Sequence, residues 1–169
     1  MNHLDWALAY ASMGLAVFPC LENSKSPLTS RGFLDATTDG DRISSWWSTR
    51  PYANIGIAIP NDELVLDVDK MHSSEGLDIS RLPPTPFTIT PRENGGRHYW
   101  FKKPIDVPVR PTVNIMPGVD VRSVGSYVIA PPSIHPNGKA YEWGISRIAM
   151  QPADVPDWVL DFVKSGEIG

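Results

Sequence analysis

The sequence predicts a mixed α+β fold, and three observations carry that prediction. Apolar residues recur at helical spacing near both ends and once in between, while the middle of the chain alternates with a period of two. In addition, 17 prolines among 169 residues cut the chain into short elements, which argues against a long helical bundle. With 41% hydrophobic residues the chain can bury a core of ordinary size, and residues 1–169 read as one domain built as two lobes.

In "HLDWALAYASMG", Leu4, Ala7, Leu8 and Ala11 lie at helical spacing and Gly14 ends the helix. "LAVFPC" reads as a short buried strand, followed by the irregular loop "LENSKSPLTSRGF" that holds Lys25 and Arg31. "TTDGDRISSWWSTRP" predicts a second helix, with Thr38 or Asp39 as N-cap, Ile43, Trp46 and Trp47 on its core face and Pro51 as terminator. "NIGIAI" and "LVLDVD", joined by "PNDE", read as a hairpin. "PFTIT" and "RHYWF", joined by "PRENGG" with Asn94, read as a second hairpin, and "GVDVRS" with "SYVIA" as a third pair linked through Gly125. Pro156 opens a last helix with Trp158, Val159, Phe162 and Val163 on one side.

The lone Cys20 has no partner for an intramolecular disulfide, and no basic segment with an apolar signal core stands at the N-terminus, so the chain reads as cytoplasmic. No apolar run approaches the roughly 20 residues that cross a bilayer, so no membrane role is expected. The net charge of -4 carries no global nucleic-acid signature. Local charge differs. Pro60 to Thr90 holds six acids and two bases, net -4, whereas Pro91 to Ser123 holds six bases and three acids, net +3.

In "ELVLDVDK", alternate side chains share a face, so Asp67 and Asp69 stand together opposite Leu64, Leu66 and Val68. Like charges held this close call for a cation between them, and a hard divalent ion with oxygen ligands suits. The same spacing also fits a strand end with two solvated aspartates. His98 follows the Gly95-Gly96 pair, which lets a ligand approach the backbone, though a lone strand histidine also fits a structural hydrogen bond. Asp120 and Arg122 share a strand face, as a surface ion pair would. Taken together, three carboxylates can hold two metal ions while His98 and Arg122 donate to phosphate oxygens, the requirement of nucleotidyl transfer.

These residues resemble the bifunctional primase-polymerase domain of plasmid and phage replication proteins, a branch of the archaeo-eukaryotic primase superfamily. The resemblance runs through "GLAVFPC", "KSPLTSRGF", "DATTD", "WW", "NIGIAIP", "LVLDVD", "GGRHYWF" and "GVDVRSVGSYVIAPPSIHPNG", about residues 5 to 160. It implies a two-lobed fold in which an RRM-like catalytic sheet packs beside an N-terminal α/β lobe, leaving a cleft. It implies that Asp67, Asp69 and Asp120 hold two Mg²⁺ or Mn²⁺ ions and are catalytic. His98, Arg122, Lys25, Arg31, Gly96 and Arg97 form the expected nucleotide-binding set. The partners implied are a DNA template and primer, nucleoside triphosphates and a fused or separate helicase, in a longer replication protein whose N-terminal part this chain would be, in the host cytoplasm if phage-encoded. Two departures stand out: Gly96 replaces the serine often found two residues before the motif histidine, and "SVGSY" replaces the acid and paired glycines that commonly follow the third acid. Two rival readings are a catalytically weak nucleic-acid-binding module, disfavoured because no acid or histidine is missing, and a metal-dependent nucleotide-sugar transferase, which leaves His98 and Asp120 unexplained.

Overall fold

The computed structural model describes residues 1–69, 77–93 and 95–164, in which three α-helices and ten strands form two sheets, a mixed α+β fold dominated by sheet. The chain divides into two compact units, one formed by Met1–Ala58 with Tyr127–Glu142, the other by Ile59–Ser126 with Trp143 onward.

The first unit opens with α1 (His3–Ser12), started by a capping box in which the Asn2 side chain accepts from the Asp5 N–H at 2.8 Å and the Asp5 carboxylate accepts from the Asn2 N–H at 3.0 Å. Gly14 at φ +86° ends the helix as expected. α2 (Gly40–Thr49) takes Asp39 as its N-cap and stops before Pro51, with Ile43 and Trp47 buried. These helices accompany a three-stranded antiparallel sheet in the order β1 (Val17–Cys20), β2 (Asn54–Ala58), β8 (Tyr127–Ala130). Gly56 is required there, because the Phe18 ring occupies the space its Cβ would need. Asn54, wholly buried, donates to Ser24 O at 3.0 Å and Ile134 O at 2.7 Å and accepts from the Ile134 N–H at 2.9 Å. Ser133 is buried and accepts from the Ile55 N–H at 2.7 Å.

The second unit is built on a seven-stranded sheet. Its main path runs β6 (Thr112–Met116), β7 (Val119–Arg122), β3 (Glu63–Val68), β5 (Gly96–Lys102), β4 (Phe87–Thr90), β9 (Glu142–Ile145), and β10 (Ala153–Asp154) pairs in parallel with β5. One face carries the core: Leu64, Leu66 and Val68 of β3 meet Tyr99, Phe101, Val119 and Val121, covered by Val159 and Val163 of α3 (Asp157–Val163). The alternation read from the sequence is therefore the real one.

Two expected hairpins do not form. β2 and β3 enter different sheets, so "PNDE" is a crossing between units, not a hairpin turn; β7 and β8 likewise part, and β7 pairs with β6 instead. The β4–β5 hairpin forms as expected, although Asn94 itself lies outside the described residues.

Candidate functional site

Register decides the site. On the face opposite the core, Asp67 is paired directly with His98 of β5 and with Asp120 of β7, and His98 in turn with Thr88 of β4. Four strands thus carry Asp120, Asp67, His98 and Thr88 in one row, each side chain on the same side because each is a direct cross-strand partner of the next. Arg122 lies one pair along, opposite Val65. Asp69 follows the end of β3, its N–H held by Gly118 O at 2.7 Å.

The charges interlock. Arg122 Nη2 stands 3.3 Å from Asp67 Oδ2 and 3.4 Å from Asp120 Oδ2, His98 Nε2 stands 3.6 Å from Asp67 Oδ1, and Arg92 Nη1 donates to Asp69 Oδ1 at 2.7 Å. Asp120 Oδ1 accepts from the Asn114 N–H at 2.8 Å. Asp67 is only 3% exposed, and its Oδ1 faces the His98 imidazole across a long 3.6 Å contact. Burial alone would raise the Asp67 carboxyl, but the positive charges of His98, Arg122 and Arg92 prevail and hold it below the ordinary carboxylate range. Asp69 moves the other way: burial and the negative charge of Asp67 raise it, Arg92 opposes, and Asp120 adds to the rise.

These residues suit a hard divalent cation. The donors are carboxylate oxygens, and the like charge of Asp67 and Asp120 beside Asp69 is what a cation relieves. Among the described residues, no group of three or more carboxylate, imidazole or thiol ligands stands ready for a metal ion. Guanidinium groups and a backbone N–H occupy several of the acid oxygens.

The other expected residues are not members of this row. Arg97 is on the opposite sheet face, over the Phe87 ring at 4.6 Å and donating to the Tyr99 hydroxyl at 3.2 Å. Gly96 faces Thr90 across the hairpin, where a Cβ would collide with the buried Thr90 hydroxyl, so the serine of related motifs has no room. Lys25 and Arg31 belong to the first unit. Lys25 is exposed, and its carbonyl accepts from the Tyr127 hydroxyl; Arg31 is tied to Asp35 at 2.8 Å. Sequence reasoning passed over Arg92, whose signal was a lone base in a turn beside the histidine strand.

The fold and the site are joined by one comparison. Residues 7–158 match the family model described as bifunctional DNA primase/polymerase, N-terminal. A search of curated proteins returns no match. Membership implies nucleotidyltransferase activity in general, with DNA and nucleotides as substrates and divalent metals as usual cofactors. Among the described residues no helix is long and apolar enough to cross a membrane. With 152 of its 169 residues covered by the match, the chain belongs to the bifunctional DNA primase/polymerase family.

Proposed function

We propose that this chain catalyses template-directed nucleotidyl transfer onto a primer 3′-hydroxyl, with Asp67, Asp69 and Asp120 as the catalytic acids. The observation that carries the reading is the row Asp120–Asp67–His98, in which three neighbouring strands bring two carboxylates and an imidazole into direct cross-strand pairs on one face. The three acids would hold two Mg²⁺ or Mn²⁺ ions, which when bound supply positive charge at the attacking hydroxyl and at the pyrophosphate leaving group. Asp67, kept ionised by His98 and Arg122, is ready to ligate without first losing a proton. His98 and Arg122 present N–H donors from the same face and would orient phosphate oxygens of the incoming nucleotide. Residues 1–169 act in this reading as one catalytic domain at the N-terminal end of a replication protein that works beside a helicase in the cytoplasm.

Extension of a labelled primer on a DNA template tests this. An Asp67→Ala, Asp69→Ala double variant is expected to add no nucleotide, and extension by that variant sinks the assignment. His98→Ala should raise KM for the nucleotide more than it lowers kcat. A calorimetric titration with a dNTP and a nucleotide sugar separates the family reading from a sugar transferase; preference for the sugar nucleotide contradicts it.

A further inference from the structure

Arg92 has no place in the row of acids, yet it makes the shortest contact to any of them, 2.7 Å to Asp69 Oδ1. Its backbone is fixed without that contact: the Arg92 N–H donates to Thr90 O at 2.8 Å, and Arg92 O accepts from the Gly95 N–H at 3.0 Å. The side chain is 34% exposed and Asp69 33%, so the guanidinium can leave the carboxylate while the hairpin stays intact. An ion pair this open contributes at most about 1 kcal/mol, too little to exclude a doubly charged ion. A guanidinium set free at that spot is a planar donor matched to phosphate oxygens.

We propose that Arg92 is a stand-in counterion for Asp69, displaced when a divalent cation binds, and that the released guanidinium then binds the phosphates of the nucleoside triphosphate. The inference rests on the nucleotidyl-transfer reading and deepens it. It makes Arg92 a metal competitor in the empty site and a nucleotide ligand in the loaded one. A residue serving only the fold would do neither.

The test is Mn²⁺ binding by the whole chain without nucleotide, followed by electron paramagnetic resonance of the free ion, then dATP binding at saturating Mn²⁺ by calorimetry. Arg92→Gln is expected to bind Mn²⁺ about two- to fivefold tighter than the wild type, the factor set by loss of a half-exposed ion pair, and dATP about tenfold more weakly. Unchanged or weaker Mn²⁺ binding, or unchanged dATP binding, overturns the inference while leaving the metal reading intact. If neither protein binds Mn²⁺, the metal reading falls and takes the inference with it. Arg92→Lys carries the test if the glutamine variant folds poorly. It should bind Mn²⁺ like the wild type and bind dATP with intermediate affinity; dATP affinity equal to that of the glutamine variant overturns the phosphate role.

Discussion

β2 and β3 are both buried strands with a polar side chain in an apolar run, and they treat it in opposite ways. Asn54 on β2 is wholly buried, and three hydrogen bonds to Ser24 and Ile134 engage both ends of its amide. Asp67 on β3 is almost as buried, yet its two oxygens face only the cationic groups of His98 at 3.6 Å and Arg122 at 3.3 Å, longer contacts than those that hold Asn54. Folding normally completes the bonds of a buried polar group, since leaving one unmade costs about 1–3 kcal/mol. On the proposed reading, Asn54 serves the fold and Asp67 the chemistry.

The largest effect expected on the chemical side is that of Asp120→Ala. Losing one carboxylate of the row should lower primer extension about a hundred- to a thousandfold, several kcal/mol of charge stabilisation, with a cooperative melt retained. A rate within tenfold of wild type would break the comparison by showing the row to be structural. On the fold side, Asn54→Ala leaves the Ile134 N–H unpaired and should destabilise the protein by about 1–3 kcal/mol in urea, with specific activity of the folded fraction unchanged. A kinetic defect in fully folded Asn54→Ala would erase the distinction.

Gly96 sharpens it further. Gly96→Ala drives a methyl into the Thr90 hydroxyl and should cost about 1–3 kcal/mol, most of which Thr90→Ala should restore in the double variant. Additive losses in that double variant would mean the two positions do not share the space.

The smallest effect lies in pH dependence. Asp67 is depressed in the folded state, so its contribution to stability is present above the ordinary aspartate value near 3.9 and is lost as pH falls through the lower folded value. Asp69, raised in the folded state, acts with the opposite sign just above that range. Urea midpoints taken from neutral to acid pH should therefore fall less steeply for Asp67→Asn than for wild type. Asn54→Ala should shift the whole curve down without changing its shape. Parallel curves for Asp67→Asn and wild type would contradict the charge interlock.

Much of this was legible in the sequence, for a physical reason: period two decides which face a side chain takes, and Leu64, Leu66 and Val68 left Asp67 only the other one. The β4–β5 hairpin was legible from its glycine-bearing turn. Pro60-Asn61-Asp62 misled because turn chemistry reports a change of direction and says nothing about which sheet receives the next strand. β6 escaped notice because none of its residues is buried and its pairing is irregular, with Asn114 at φ +57° and a register shift between Thr112 and Met116, so no alternation marks it. The row Asp120–Asp67–His98 depended on pairings of residues tens of positions apart, and Arg92 on a turn whose direction no local pattern encodes.

The most direct measurement is primer extension with dNTPs and Mg²⁺ or Mn²⁺ by wild type, Asp67→Asn and Asn54→Ala, each corrected for its folded fraction. Metal-dependent extension by wild type and Asn54→Ala, lost in Asp67→Asn, is the expected result. Extension by Asp67→Asn at the wild-type rate would contradict the account, because the buried carboxylate would then have no part in the chemistry.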